Sequence, residues 1–252
     1  MTSAESAHKR FSQQAGWTEP LRKYLFKRVT LPADANLLEV GCGTGAILSR
    51  LDAYTQGVCW GLDLNLASLR FARQIVKESP LVGGDGSWLP FRSNAFQTVL
   101  SHFLLLWVAN PPAVLAEMVR VVNPGGAVLA LAEPDYGARI DYPDDLAGLG
   151  SLQAIALQHQ GADPEMGRRL SGLFHAAGLV NIETGILGGQ WSGPPSPAAW
   201  QTEWETLESD LAGLVAPKRL EQLKALDEAA YESGERVLFV PTFYALGFKP
   251  AK

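Results

Sequence analysis

A buried strand that runs directly into a glycine-rich turn constrains the fold of this chain more than any other feature. Residues 37–46 read Leu-Leu-Glu-Val-Gly-Cys-Gly-Thr-Gly-Ala. The glycines at positions 41, 43 and 45 lack the Cβ atoms that would block positive φ and the close approach of a ligand to the backbone. A strand, such a turn and a helix open many parallel α/β sheets, so this stretch predicts a cofactor-binding loop at a sheet edge.

The glycine pattern alone leaves the cofactor open. Gly41, Gly43 and Ala46 also fit the dinucleotide fingerprint, and Asp63 stands about where that fingerprint places its ribose-binding acid. Glu39 favours a different ligand, because a carboxylate just before the turn would repel a phosphate. It suits a ligand with an ammonium group, such as the methionine end of S-adenosylmethionine. Because the glycine pattern and Asp63 also fit a dinucleotide, an NAD(P)-dependent oxidoreductase remains an alternative from another enzyme class.

Five sequence blocks, in matching order and spacing, resemble the class I S-adenosylmethionine-dependent methyltransferases, in the small-molecule branch related to the ubiquinone and menaquinone methyltransferases. They cover residues 37–45, 61–65, 84–91, 96–108 and 115–133. The resemblance implies a Rossmann-like three-layer sandwich, with a seven-stranded, mostly parallel sheet whose last strand is antiparallel. It also implies methyl transfer to oxygen, nitrogen or carbon of a small metabolite by in-line displacement, with S-adenosyl-L-homocysteine as the product. A non-catalytic or regulatory S-adenosylmethionine-binding protein is a further alternative.

The matching positions give a set of expected cofactor contacts. Glu39 holds the ammonium group, the loop approaches the methionine moiety, and Asp63 accepts hydrogen bonds from both ribose hydroxyls. Asp85 accepts from the adenine amino group, although an Asp-Gly pair also marks ordinary turns. The complete expected set is Glu39, Gly41, Cys42, Gly43, Asp63, Leu64, Asp85, Gly86 and Ser101.

His102 is the candidate catalytic residue. It follows Ser101 at the end of the predicted fourth strand, where members of the family present side chains to cofactor and substrate. Imidazole titrates in the range useful for a general base, which an acceptor needs only when it must lose a proton. The alternative is a structural histidine that hydrogen-bonds to the protein.

The whole chain, residues 1–252, is expected to form one methyltransferase domain. It comprises an N-terminal helical segment over residues 1–33, a cofactor-binding core over 34–133, and cap insertions at 134–164 and 190–234. Glu133, Tyr136 and Arg139 enter the first insertion and are the candidate substrate-binding residues, although Glu133 and Arg139 could equally fasten the cap.

Local patterns predict individual elements. Apolar spacing and flanking Pro or Gly residues predict a first helix over residues 15–29, a helix over 46–51, a strand over 180–187 and a helix over 217–233. Residues 236–248 are expected to form one closing strand.

Composition narrows the choice of partners. The formal net charge is −5 and the 21 Lys and Arg residues form no basic run, which argues against a nucleic-acid partner. The sequence shows no membrane-length apolar stretch and no secretory signal, so a cytoplasmic protein is expected. The two cysteines lack the spacing of a metal site, so no metal is expected. Aromatic residues in the insertions favour an apolar or aromatic small-molecule substrate, and the oligomeric state stays open.

Overall fold

The computed structural model describes residues 3–187 and 196–251. Its strands are β1 (Leu37–Val40), β2 (Cys59–Asp63), β3 (Leu81–Gly83), β4 (Phe96–Ser101), β5 (Val122–Pro134), β6 (Ile140–Tyr142), β7 (Val180–Leu187), β8 (Val237–Phe239) and β9 (Thr242–Phe248). Seven of them form one sheet in the order β3-β2-β1-β4-β5-β9-β7. Strand β9 is antiparallel to both β5 and β7, and the remaining pairs are parallel. The predicted fold class is therefore confirmed.

The helices are α1 (Ser3–Trp17), α2 (Glu19–Arg28), α3 (Leu66–Ile75), α4 (Pro111–Val121), α5 (Leu149–His159), α6 (Met166–Ala176), α7 (Pro197–Leu211) and α8 (Pro217–Ser233). Helices outside the two predicted insertions cover both faces of this sheet. Alternate residues of each central strand face opposite sides, as the two-residue period of a strand requires. Thus Leu38 and Val99 pack into one apolar cluster, while Leu37 and Leu100 pack into the other. The result is a three-layer sandwich.

Three element predictions are wrong, each for a local reason. The expected first helix is two helices, α1 and α2, that meet at Thr18, because Pro20 in the first turn of α2 lacks an N–H and restricts the residue before it. The expected helix over 46–51 is a 3₁₀ helix at Leu48–Ala53. The expected closing strand is broken at Pro241, which cannot donate a ladder hydrogen bond, into β8 and β9.

The two predicted insertions pack against one another, forming what we call the helical cluster. Its apolar core brings together Leu146 and Leu149 from the first insertion and Trp204, Leu207, Leu223 and Ala230 from the second. Strand β6 pairs with β8 in a separate two-stranded sheet beside it. Residues 190–195 of the second insertion lie outside the described part of the chain.

Buried charges of opposite sign run through the helical cluster. Arg139 Nε lies 2.8 Å from an oxygen of Asp141, whose other oxygen lies 2.7 Å from Arg236. Arg236 also pairs with Asp227, whose Oδ1 accepts hydrogen bonds from the indole N–H groups of Trp200 and Trp204 at 2.7 and 3.0 Å. Buried ions are tolerated when they are paired and hydrogen-bonded in this way.

No helix within the described ranges has both the length and the apolar character needed to cross a membrane.

Candidate active site

A cavity of about 470 Å³ opens where β1, β2, β4 and β5 end, at their carboxyl edge. Strand order reverses between β1 and β4, and such switch points are where open α/β sheets bind ligands. The lining residues fall into two groups. The cofactor half consists of Glu39, Gly41, Cys42, Gly43, Ala46, Ile47, Asp63, Asn65 and Ser68. The opposite side, which we call the acceptor half, consists of Arg10, Gln14, Tyr136, Leu157, Gln160, Thr206 and Asp210, with Phe11 and the segment after β4 between the halves.

The glycine loop needs its glycines for both conformation and space. Gly41, Gly43 and Gly45 have φ values of +76°, +51° and +80°, which side-chain-bearing residues rarely adopt. A Cβ at Gly41 would lie 2.7 Å from Leu104 Cδ1, and one at Gly43 would lie 3.3 Å from the Phe11 ring. The loop therefore presents bare backbone to the cavity.

Asp63 is held at the end of β2 by two backbone N–H groups. Gly43 N donates to Oδ2 at 2.7 Å, and Asn65 N donates to Oδ1 at 2.7 Å. Asn65 also caps α3 through its own side chain. Each carboxylate oxygen keeps a further lone pair, so Asp63 has the acceptor capacity that a pair of ribose hydroxyls requires.

Glu39 is the least satisfied charged group in the cofactor half. The residue is 2% exposed, and its Oε2 has no hydrogen-bond partner among the described residues. Burial and the nearby Asp63 carboxylate raise the pKa of Glu39 to about 8. A cationic ligand group would supply the missing partner, whereas a pyrophosphate would add repulsion.

The predicted adenine contacts lie outside this cavity. Asp85 is exposed and its Oδ1 accepts from Ser87 N at 2.8 Å and Ser87 Oγ at 2.7 Å, which lowers its pKa. Leu64 is 72% exposed, and Gly86 lies against Val40. None of Leu64, Asp85 and Gly86 lines the cavity, so their roles stay predictions.

His102 lines the cavity, but its surroundings keep it neutral. Its Nε2 lies 3.1 Å from Thr18 Oγ1, which accepts a hydrogen bond from Arg22 Nη1 at 2.7 Å. Burial, with the charges of Arg22 and Arg50, lowers the pKa of His102 to about 3. Such an imidazole is a weak base, so this environment disfavours the predicted proton transfer. The neighbouring Ser101 side chain is fully buried and does not line the cavity.

Glu133 lies beneath the cavity and does not line it. Its Oε1 accepts from Leu104 N at 3.0 Å and Leu105 N at 2.8 Å, and its Oε2 accepts from Leu106 N at 3.1 Å. Burial raises its pKa to about 7, opposed by these three hydrogen bonds. Glu133 therefore fixes the turn after β4, which carries Leu104 and Leu106 into the cavity wall.

Of the three predicted substrate-binding residues, only Tyr136 lines the cavity. The Arg139 side chain is fully buried in its pair with Asp141. Sequence reasoning missed most of the acceptor half, including Arg10 and Gln14 of α1 and Thr206 and Asp210 of α7. The available signal was spacing: each pair lies four residues apart, one helical turn, so both members face the same side.

Neither cysteine is a candidate nucleophile. Both are buried and free, and burial raises the pKa of each thiol, that of Cys59 to about 12. The described ranges also contain no group of three or more His, Cys, Asp or Glu residues that could hold a metal ion.

Comparisons with known proteins connect this geometry to one family. A family model described as a methyltransferase domain matches residues 38–130. The demethylmenaquinone methyltransferase of Bacillus licheniformis is 30% identical over 191 residues, which cover 69% of this chain and 81% of that protein.

Solved structures share the fold. One is a protein of Haloferax volcanii in complex with the Trm112 methyltransferase activator (TM-score 0.62, 19% identity), and the match covers 98% of this chain and 95% of that one. Another is phosphoethanolamine N-methyltransferase 2 of Haemonchus contortus in complex with S-adenosyl-L-methionine (TM-score 0.57, 15% identity), covering 92% of this chain and 53% of that one. At these identities the likeness concerns the fold alone.

Proposed function

Because this chain belongs to the class I S-adenosylmethionine-dependent methyltransferases of the ubiquinone and menaquinone type, and is therefore a methyltransferase, we propose that its acceptor is a small molecule. The methyl group would move from S-adenosylmethionine to oxygen, nitrogen or carbon of that molecule by in-line displacement. Demethylmenaquinone, named in its relatives, is one acceptor to test.

The observation that carries the cofactor proposal is the unpartnered Oε2 of Glu39 beside the glycine loop. A buried carboxylate without a partner is costly, and an ammonium group would remove that cost. Asp63, oriented by Gly43 N and Asn65 N, would accept the ribose hydroxyls. The cavity volume of about 470 Å³ lies within the ordinary range for small-molecule sites. Leu64, Asp85, Gly86 and Ser101 remain the proposed adenine-side and strand-end contacts.

When bound, the cofactor supplies a methyl group already activated by a sulfonium, so this chain's task is alignment. Leu104 and Leu106, fixed through Glu133, line the cavity where the two halves meet and give it an apolar side there that excludes water. Phe103 precedes them with φ of +51°, an uncommon conformation held where the wall begins. Holding an acceptor within about 3–3.5 Å of the reacting carbon accounts for several kcal/mol of barrier reduction without a dedicated base.

Calorimetry with S-adenosylhomocysteine tests the cofactor proposal. The wild-type chain should bind it and should not bind NAD. Asp63→Ala should weaken binding on the order of 100-fold, because two charge-assisted hydrogen bonds of about 1.5 kcal/mol each are lost. Asp34→Ala removes an exposed acid outside the cavity and should leave affinity unchanged.

A second measurement separates catalysis from binding alone. The protein is incubated with isotopically labelled S-adenosylmethionine and a metabolite extract, and labelled products are sought. If the wild-type chain forms a labelled product and Asp63→Ala does not, the result supports a methyltransferase. Tight binding of the cofactor without any labelled product favours the non-catalytic alternative. NAD binding without S-adenosylhomocysteine binding would favour an oxidoreductase.

A further inference from the structure

The acceptor half of the cavity contains polar side chains beside the apolar Leu157 and the ring of Tyr136. Arg10 and Gln14 face it from α1, Gln160 from the end of α5, where it is the C-cap, and Thr206 and Asp210 from α7. Trp200 and Trp204, which could have lined an apolar pocket, instead donate to Asp227 inside the helical cluster. An acceptor in this half therefore meets hydrogen-bonding and charged groups as well as apolar side chains.

Arg10 stands out among these groups because its charge is not compensated. It is the only cationic side chain among the described residues that line the cavity. Its Nε is buried and has no hydrogen-bond partner, and no carboxylate in the described ranges lies within ion-pairing distance of it. By contrast, the buried Arg139 and Arg236 both pair with Asp141.

Arg10 lies where the two halves of the cavity meet. Its Cζ lies 5.3 Å from the centre of the Phe11 ring, which reaches the glycine loop at Gly43, and Gln14 is one helical turn further along α1. Burial raises the pKa of Tyr136, and Arg10 is one of two arginines whose charge opposes that rise. Glu39, in the cofactor half, is instead influenced by Asp63 and Arg22.

Asp210 places a negative charge in the acceptor half, in addition to the positive charge of Arg10. Its carboxylate accepts from Gln153 Nε2 at 3.0 Å and Gln160 Nε2 at 3.4 Å, and it forms no ion pair among the described residues. A negatively charged ligand group is repelled from this carboxylate and attracted to the guanidinium of Arg10. Guanidinium groups bind carboxylates and phosphates through two parallel hydrogen bonds.

We propose, on the premise of the methyltransferase function above, that Arg10 binds an ionised acid group of the methyl acceptor. The acceptor class is then a small molecule bearing a carboxylate or phosphate. Its anionic end lies toward α1 and its methyl-accepting atom lies toward the turn after β4.

The test uses a metabolite extract passed over an anion-exchange resin at pH 7, with labelled S-adenosylmethionine as methyl donor. Acceptor activity should bind to the resin and elute with salt. Arg10→Met should lower kcat/KM for the eluted acceptor at least 30-fold, while S-adenosylhomocysteine affinity stays within about twofold. Arg10→Lys, which retains the charge but not the paired hydrogen bonds, should fall between Arg10→Met and wild type.

Lys9→Met is the matched control, because it removes a positive charge from an exposed neighbouring position of α1. It should behave as wild type. Acceptor activity in the unbound fraction would overturn the proposal, as would equal activity of Arg10→Met and wild type. If Arg10→Met weakened S-adenosylhomocysteine binding as strongly as turnover, the anion would be the cofactor's own carboxylate, which also overturns it. A wild-type chain that does not bind S-adenosylhomocysteine would instead contradict the proposed function itself.

Discussion

The two halves of the cavity are built in different ways. In the cofactor half, Glu39, Gly41, Gly43 and Asp63 come from two adjacent strands and the turn between them, and backbone N–H groups hold the key carboxylate. In the acceptor half, the lining residues come from α1, α5, α7 and the segment after β5, between positions 10 and 210. One half is fixed by local backbone conformation and the other by long-range packing, so their responses to mutation should separate.

The largest expected effect comes from the helical cluster behind the acceptor half. Asp227→Ala removes the partner of buried Arg236 and of two indole N–H groups. The free energy of unfolding should fall by about 3–5 kcal/mol, because both indole N–H groups lose their acceptor and Arg236 keeps only Asp141 as an ion-pair partner. Urea unfolding measures this loss, and calorimetry at low temperature should still find S-adenosylhomocysteine affinity within about twofold.

Asp145→Ala, which changes an exposed acid of the first insertion, should leave stability within about 0.5 kcal/mol of wild type. The separation of the two halves would be disproved if Asp227→Ala, while still folded, lost cofactor affinity in proportion to its loss of stability.

The converse experiment damages the cofactor half. Gly41→Ala places a Cβ 2.7 Å from Leu104 Cδ1 at a φ of +76°. Steric overlap and backbone strain together should cost about 2–3 kcal/mol of S-adenosylhomocysteine binding, measured by calorimetry.

The control variant Gly125→Ala separates the effect of backbone strain from that of steric overlap. Gly125 has the same φ of +76°, but a Cβ there meets no atom within 4 Å. This variant should lose about 1 kcal/mol of stability and retain wild-type cofactor affinity. Equal loss of affinity in both variants would show that the glycine loop is sensitive to global stability rather than to its own geometry.

Glu39 gives the cofactor half a pH dependence with opposite signs for folding and binding. Its folded pKa of about 8 exceeds the ordinary value of 4.5, so its contribution to folding is fully present below about pH 4.5 and is lost as the pH rises through 8. An ammonium ligand needs the ionised form, so S-adenosylhomocysteine affinity should rise with pH up to about 8. The rise is at most tenfold per pH unit, or about 1.4 kcal/mol.

Calorimetry in buffers of different ionisation enthalpy should detect proton release on binding at pH 7. Glu39→Gln should abolish both the proton release and the rise in affinity. Affinity that did not change between pH 6 and 8 in the wild-type chain would rule out the proposed pairing of Glu39 with an ammonium group.

The smallest effect is expected at His102, between the two halves. With a pKa of about 3 it is already neutral at working pH, so His102→Gln should lower turnover less than tenfold. The pH profile of kcat/KM should contain no ionisation that this substitution removes. A loss of 100-fold or more, together with a vanished ionisation near pH 6–7, would restore the general-base role.

Features that depend on local sequence could be predicted, whereas features that depend on long-range packing could not. Strand β7 and helix α8 match their predicted bounds, because Gly or Pro residues mark their ends, as Gly234 with φ of +77° does for α8. The glycine loop and Asp63 could likewise be predicted from a short stretch of sequence.

What the sequence did not reveal depends on contacts between distant residues. Pairing of Ile140 with Phe239 in the two-stranded sheet joins two segments that nothing local connects. The same holds for Arg10, whose place in the cavity depends on how α1 packs over the sheet. The sequence predicted Glu133 as an acid at the end of a strand. It did not predict that this carboxylate accepts hydrogen bonds from the backbone of Leu104, Leu105 and Leu106.

The three hydrogen bonds that Glu133 accepts also have a consequence for how the acceptor specificity of such an enzyme can change during evolution. The turn between the two halves is anchored from below by a core carboxylate, and it draws none of those three hydrogen bonds from α1, α5 or α7. Substitutions in α5 and α7 can therefore accumulate over generations without breaking the hydrogen bonds that hold this turn. A lineage built on this plan is free to exchange one acceptor for another while inheriting the donor chemistry intact.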